Sequence, residues 1–396
     1  MLVEPTNFYL LLQWKMGRLQ TSMKKFYALL LAIALSSCGG SDSSSAPVNS
    51  SLPTPTPAPD SSTYPGNTWE TSDPSDVGMN QAGILEALDY AFVGTRNTQG
   101  VVIIRHGVIV GERYGNGKSK DSLATSWSTG KSFASALVGI AKHQGFIDSI
   151  DLPAENYLAE WANSDKSEIT TRAILEMRTG LAPASRGDSN LYTLGGTNGN
   201  QLAYALNRTP RTTPRTDNWA YQNTDSMLLA GILEESTGQN VRDYADIQLF
   251  SKIGMTADWW TDEAGHAMTY CCIDATTRDF ARFGLLLARN GRWNGDQIVP
   301  EDWVAESITV PSGTSNQYYA LQWWVNPSDG YFYSAGRHTN NIYIFPELDL
   351  VVVRNSLYSK IGDSSIRSGS NYHSTLEPSD WNNTEFLSYI TNAITN

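Results

Sequence analysis

Cysteine is scarce in this chain: three among 396 residues, one at position 38 and an adjacent pair, Cys271 and Cys272. So small a set excludes the disulfide framework that staples minimal secreted domains, and two neighbouring cysteines alone cannot make a four-ligand zinc site. A bond between adjacent cysteines is geometrically demanding, so the pair is expected as two small buried side chains. Histidine is also sparse, with five residues at 106, 143, 266, 338 and 373 and no His-Glu-x-x-His or comparable spacing. No metal and no other cofactor is expected. Basic residues are outnumbered, 28 against 40 acidic for a formal charge of -12, and no Lys/Arg-rich run occurs, which argues against a nucleic-acid partner. A Gly-x-Ser-x-Gly nucleophile elbow is missing as well. What is present, 40% hydrophobic residues, suffices for a sizeable globular core in one large domain or two ordinary ones.

The N-terminus reads as an address. Met23-Lys24-Lys25 supplies a basic start, Phe26 to Leu35 an apolar stretch, and Leu35-Ser36-Ser37-Cys38 small residues before a cysteine. This resembles a bacterial lipoprotein signal over residues 23–37, with cleavage before Cys38 and lipid attached there. The apolar stretch falls well short of the roughly 20 residues of a spanning helix, the alternative reading. Residues 1–22 then have no role, and a start codon assigned too early accounts for them; N-terminal sequencing of the unprocessed form tests this. Gly39 rather than an acidic residue follows the cysteine, which in such lipoproteins implies the outer membrane, facing the periplasm or the cell surface. Membrane contact is expected through that lipid alone. Removing residues 1–37 leaves 24 basic and 39 acidic residues, so the mature chain is more acidic still. The Ser/Pro-rich stretch 38–66 cannot bury a core and reads as a tether, and a monomeric domain is expected over 67–396.

Within that domain, "GVVIIRHGVIVGERYG" at 100–115 shows two apolar, β-branched runs around His106-Gly107, a hairpin signature. Val101 to Ile104 are consecutively apolar, so this strand is expected to be covered on both faces. A matching pair, "NIYIF" and "LVVVRNS", flanks "PELD" at 346–349, with "YFYSAG" at 331–336 as a third strand before them. Between these groups, helix-spaced apolar residues mark 129–143, 169–178, 225–237 and 276–290, several ending at Gly145, Gly180, Gly238 and Gly291. The fold class predicted is α+β: one antiparallel sheet built from both ends of the chain and flanked by helices, with a mainly helical region inserted in the middle.

One lysine stands out. Lys131 is the only charged residue between Ser122 and Ala141, at the front of a segment whose apolar character marks a buried helix. In Ser128-Thr129-Gly130-Lys131 a serine precedes it by three residues, so if the serine opens the helix both side chains share one face. A serine hydroxyl needs a base to become a nucleophile, and a lysine amine can be that base only if burial or nearby positive charge lowers its pKa from about 10.4. The helix N-terminus adds partial positive charge where an acyl oxyanion would form. The alternative is a capping serine beside a snorkelling lysine, and Ser22 with Lys25 shows the same spacing in the leader.

Two later elements fit the same chemistry. Tyr221-Gln222-Asn223 lies where a polar loop meets an apolar helix, so Tyr221 can share a proton with Ser128 and Lys131, and Asn223 can bond the lysine or a substrate. The same tripeptide pattern at Tyr114-Gly115-Asn116 precedes the serine and stands ahead of no helix. In Ser334-Ala335-Gly336-Arg337, Gly336 lets a substrate approach the strand, and the N–H of Arg337 can pair with that of Ser128 as an oxyanion hole. Packing tyrosine and ordinary strand glycine are the bland alternatives.

Together these elements resemble the serine β-lactamase and penicillin-binding-protein superfamily, in which Ser-x-x-Lys, a Tyr-x-Asn or Ser-x-Asn, and a Lys-Thr-Gly-like strand occur in this order. "ITTRAILEMRTGL" and "RDFARFGLLLARNGRWNGDQIVPEDW" also resemble stretches of that family, most closely of its class C-like branch of carboxylesterases and 6-aminohexanoate-dimer hydrolases. The resemblance implies a β-lactamase/transpeptidase-like fold, Ser128 as nucleophile, Lys131 as base, Tyr221 as proton-shuttling partner, and the N–H groups of Ser128 and Arg337 as oxyanion hole. It implies a serine hydrolase that forms an acyl-enzyme and acts on a small ester or amide. Ser334 stands where the family has the lysine that pairs with a β-lactam carboxylate, unless Arg337 or His338 substitutes, so carboxylic esters or linear amides are expected ahead of β-lactams or D-amino-acid peptides. No Glu-x-x-Leu-Asn motif occurs, so deacylation falls to Tyr221 and Lys131. His338 and, in the Gly/Asn-rich stretch 186–201, Tyr192 are candidate substrate contacts, each with a structural alternative; so are the tryptophans Trp219, Trp259-Trp260 and Trp323-Trp324. A catalytically silent ligand-binding lipoprotein is the alternative of another class, one that would not need the serine, lysine, tyrosine and glycine in combination.

Overall fold

In the computed structural model, residues 63–182, 191, 199–210, 219–360 and 373–395 are described. The leader, Cys38, most of the tether and Tyr192 lie outside them. Two hairpins from opposite ends of the chain make the central sheet. β1 (Thr98–Arg105) turns through His106 and Gly107, both with positive φ as a tight hairpin turn of this kind requires, into β2 (Val108–Tyr114). The small strands β3 (Leu123–Thr125), β4 (Ala257–Trp259) and β5 (Ile273–Thr276) form a separate antiparallel sheet in the order β3-β5-β4. From the C-terminal part come β6 (Trp324–Asn326), β7 (Tyr331–Gly336), β8 (Asn340–Phe345) and β9 (Leu350–Ser356). The large sheet has the order β2-β1-β9-β8-β7-β6, antiparallel throughout, with Val102 opposite Val353 and Ile104 opposite Val351 where the two chain ends meet.

Every residue of β1 is buried, and alternation divides them between two cores. Val101 and Ile103, with Val110, Tyr343 and Val352, face α1 (Gln81–Phe92) and the C-terminal α5 (Asn383–Asn392). Val102 and Ile104, with Ile342, Ile344, Val351 and Val353, join the larger core on the other side. There lie α2 (Gly130–His143), α3 (Asn223–Thr237) and α4 (Thr277–Ala288), with α4 laid across β1, β8 and β9. Each fully buried valine or isoleucine contributes roughly 1.5–3 kcal/mol, so a strand covered on both faces is the natural centre of the fold.

The inserted helices start and stop for local reasons. α4 opens with a capping box, Thr276 Oγ1 accepting from the Asp279 amide while the Asp279 carboxylate accepts from that of Thr276. α3 ends at Gly238, whose φ of 67° suits glycine. The helix expected over 169–178 is only Thr171–Leu175, because Met177 takes a φ of 59° that an α-helix cannot continue through. The helix expected from 129 begins at Gly130, and Ser128 sits in a separate 3-10 turn, Trp127–Thr129, just before it. The small β3-β5-β4 sheet, with strands of three or four residues, is too short to leave a periodic signal. The expectation for the cysteine pair needs correction: Cys271 and Cys272 are buried as predicted but joined to each other as a disulfide. Among the described residues no helix is long and apolar enough to cross a membrane.

α2 is buried from Gly130 to Ala141, and its packing is close enough to dictate glycine at one position. A Cβ on Gly139 would run into the indole of Trp303, 2.5 Å from Nε1. Gly139→Ala is therefore expected to lower stability by about 1–3 kcal/mol, overriding alanine's better helix propensity, as read from a urea midpoint. A midpoint equal to or above that of the unmodified protein would contradict this packing.

Candidate active site

The site is assembled on the turn between β3 and α2. Ser126 fixes that turn to β5: its N–H donates to the Ile273 carbonyl at 2.8 Å, and its Oγ accepts from the Ile273 N–H at 2.8 Å. Trp127 follows with a φ of 47°, a left-handed conformation rare for a bulky residue and characteristic of functional turns. Its indole N–H donates to Thr375 Oγ1 at 2.8 Å, and Thr129 Oγ1 donates to the Asn340 carbonyl at 2.7 Å. Between these two anchored neighbours, Ser128 is half-buried.

Lys131 is 2% exposed. Its Nζ lies 2.7 Å from Asn223 Oδ1, 2.8 Å from the Tyr270 carbonyl oxygen and 3.2 Å from Ser128 Oγ. The first two partners can only accept, so they take amine hydrogens; the serine hydroxyl alone among the three can donate. The contact with Ser128 Oγ, the longest of the three, puts the amine within reach of the serine hydroxyl. The Tyr221 and Tyr270 rings cover the amine, with centroids 4.9 and 5.7 Å from Nζ.

Tyr221 stands across Ser128, its hydroxyl hydrogen-bonded to the serine. Although the residue is 37% exposed, the protein packed around its phenol desolvates it. That desolvation, only partly offset by its hydrogen bond with Ser128, pushes its pKa up to about 12. The ring is held in an aromatic group with Trp219, Tyr319 and Trp324, at centroid distances of 6.2, 6.0 and 6.1 Å. Asn223 is the first residue of α3, so the helix start aims its side chain at Lys131. The rival tripeptide has local duties instead: Tyr114 donates to Glu112 and Asn116 to the Thr98 carbonyl.

Gly336 ends β7 against the turn that carries Ser128. A Cβ there would collide with the Ser126 carbonyl oxygen and stand 2.6 Å from that of Asn340, so the approach requires glycine. Arg337 is exposed, its guanidinium 5.5 Å from the Trp127 ring centroid. His338 and Thr339 are both left-handed, with φ of 60° and 59°. The buried guanidinium of Arg354 holds that turn, donating to the His338 carbonyl at 2.5 Å and the Thr339 carbonyl at 3.3 Å, and to the Arg96 carbonyl at 2.6 Å. His338 Nε2 accepts from Arg337 Nε at 3.1 Å, which leaves Nδ1 to donate to Thr375 at 2.8 Å as a neutral imidazole. Burial first, then the Arg337 charge, holds its pKa below the ordinary value. Ser334 is 1% exposed and contributes no polar group at the surface of the site.

The structure thus brings Ser128, Lys131, Tyr221 and Asn223 into contact and sets Gly336 and Arg337 beside their turn; it ties His338 to Thr375. Sequence reasoning missed Tyr270, whose contribution is a backbone carbonyl, and Gln322. The latter's carbonyl accepts from Ser132 at 2.8 Å and its Oε1 from Ser226 at 2.6 Å, joining α2 to α3 beneath the site. Neither role leaves a motif. Trp259, Trp260 and Trp323 are core residues, whereas Trp219 and Trp324 are partly exposed beside Tyr221. Among the described residues no three of His, Cys, Asp and Glu gather as metal ligands would.

Comparison with known proteins bears on the family and the fold. The family model described as Beta-lactamase matches residues 86–359. No curated protein matches the chain. Among solved structures, the chain is similar to a protein from Bacillus anthracis provisionally named a 6-aminohexanoate-dimer hydrolase, with 22% identity and a TM-score of 0.62 over 86% of this chain and 88% of that one. A protein from Bacteroides dorei provisionally named a beta-lactamase shows 18% identity and a TM-score of 0.59, over 79% and 98% of the two chains. A D-stereospecific amidohydrolase from Streptomyces shows 16% and 0.55, over 70% and 94%. At these identities the structural likeness is one of fold.

The glycine contact yields a test. Gly336→Ala is expected to slow labelling of Ser128 by a fluorophosphonate about a hundredfold, because it displaces β7 from the Ser128 turn. Labelling at the unmodified rate would show that this approach is not needed.

Proposed function

Because the chain belongs to the Beta-lactamase family of serine hydrolases, we propose that it forms an acyl-enzyme at Ser128 and hydrolyses carboxylic esters or linear amides. The contact of Lys131 Nζ with Ser128 Oγ, inside a buried amine's ring of acceptors, carries this reading. Lys131 takes the serine proton as Oγ attacks the carbonyl carbon. The N–H groups of Ser128 and Arg337 receive the developing oxyanion. Tyr221, whose raised pKa keeps it a neutral phenol at physiological pH, relays a proton to the departing alcohol or amine. Water then attacks the acyl carbon, gives its proton to the same amine and phenol pair, and releases the acid and the free serine.

Esters or linear amides are preferred over β-lactams because Ser334 is buried where the family's lysine would meet a substrate carboxylate. The aromatic group around Tyr221 supports a substrate with an apolar portion. A lipid anchor at Cys38 in the outer membrane is part of the proposal, supported by the leader's sequence.

Ser128→Ala is expected to abolish both fluorophosphonate labelling and turnover; labelling that persists would overturn the assignment. Tyr221→Phe should lower kcat by about a hundredfold to ten-thousandfold, the range for a lost general acid–base group. In a panel of p-nitrophenyl esters, an aminohexanoate dimer and nitrocefin, nitrocefin should be the poorest substrate, and its ranking above every ester would reverse the preference. The pH profile supplies a separate check. Since the Tyr221 phenol ionises only at about 12, no activity should be lost through its ionisation near pH 10, where an unperturbed tyrosine is half-charged. An alkaline limb below about pH 10 that disappears in Tyr221→Phe would contradict this.

A further inference from the structure

The Cys271–Cys272 disulfide lies in a stretch, residues 270–273, that contacts Ser126, Trp127 and Gly130 around the Ser128 turn as well as Lys131. Tyr270, the residue before it, offers its carbonyl to Lys131 Nζ. Cys272 donates its N–H to the Trp127 carbonyl at 3.3 Å, and Ile273, the residue after it, pairs with Ser126 through both N–H and carbonyl. Gly130, at the start of α2, packs on the Cys271 backbone so closely that a Cβ would stand 2.9 Å from its carbonyl carbon and oxygen. The remaining backbone groups of the pair are also held. Cys271 N–H donates to the Met268 carbonyl at 2.8 Å, Trp259 Nε1 donates to the Cys271 carbonyl at 2.9 Å, and the Trp260 N–H donates to the Cys272 carbonyl at 2.9 Å. Cys272 itself is left-handed, with a φ of 75° that an unconstrained non-glycine residue rarely adopts.

We propose that this disulfide is a positioning device for Lys131. The small covalent ring closed by adjacent cysteines restricts the backbone rotations on either side of the 271–272 peptide. It thereby keeps Cys272 left-handed, and with it the Tyr270 carbonyl at the distance that takes one of the lysine's hydrogens. Open the ring, and Cys272 relaxes toward ordinary φ, the Tyr270 carbonyl swings, and the amine loses a partner that holds it within reach of Ser128. Among the titratable side chains facing that amine are Tyr221 and Tyr270, whose ring centroids lie 4.9 and 5.7 Å from Nζ. The inference rests on the acyl-enzyme reading above. In chemical terms, a dithiol reductant delivers two electrons and two protons to the pair. The S–S bond breaks, two thiols form, and the reductant closes into its own cyclic disulfide.

The experiment compares the untreated full chain, the same chain reduced with dithiothreitol and then reoxidised, and the Cys271→Ser/Cys272→Ser variant. Mass spectrometry of the peptide containing both cysteines reports the bond, and the fluorophosphonate labelling rate and ester kinetics report the site. In the untreated protein the peptide should be lighter by two hydrogens. The reduced protein and the double variant should show kcat and labelling rate lower by about tenfold to a hundredfold with KM little changed, and reoxidation should restore the reduced sample. Free thiols in the untreated protein would overturn the proposal, as would a double variant with unchanged kcat. Absence of Ser128 labelling in the untreated protein would overturn both this inference and the acyl-enzyme reading; equal labelling of all forms would overturn this one only.

Discussion

A lysine amine held out of water is the constraint on which the rest of this molecule turns. An amine kept 2% exposed must have its hydrogens accepted by fixed oxygens, since no solvent is there to do so. Asn223 and the Tyr270 carbonyl meet that requirement, and each brings an element with it: α3 begins at Asn223, and the loop ending in β5 carries Tyr270. The absence of any other charge from Ser132 to Ala141 of α2 follows from the same need, because the part of the helix that carries this amine inward is itself buried on all sides. Ser128, a further partner, has a hydroxyl proton to give, so the contacts that hold the lysine also bring it to the serine.

The large sheet supplies the other half of the site. β1 and β9 bring the two ends of the chain together, and the turn after β7 is thereby set against the residues before α2. That turn contains two successive left-handed residues, His338 and Thr339, each costing about 1–2 kcal/mol in isolation. Arg354, buried on β9, offsets that cost by holding both carbonyls, and it joins them to the Arg96 carbonyl just ahead of β1. A charged residue with neutral acceptors throughout, its pKa lowered by burial to about 9, is tolerated there because five guanidinium hydrogens find oxygens in a fixed fork.

Chemistry at the site and its selectivity come from different layers. In the proposed mechanism, proton transfer belongs to Ser128, Lys131 and Tyr221, which the structure brings together. Selectivity belongs to the surrounding surface, where Ser334 is buried, Arg337 is exposed and an aromatic group flanks Tyr221. One fold can therefore keep a single acyl-transfer apparatus while the molecules it accepts change with a few residues at the rim.

Much of this was legible in the chain alone. The apolar runs of β1, β8 and β9 announce a sheet buried on both faces, because the period of side-chain exposure is a local property of the backbone. Ser128, Lys131, Tyr221 and Asn223 stood out for a similar reason: their residue types and order carry chemistry whatever surrounds them. What could not be read were contributions without a side-chain signature. The Tyr270 carbonyl, the Gln322 link between α2 and α3, the short strands β3 to β5 and the Cys271–Cys272 bond depend on distances between segments far apart in sequence. Local pattern determined which groups could react; only tertiary packing decided that they meet, because contact between remote segments is set by how the two cores close around the sheet.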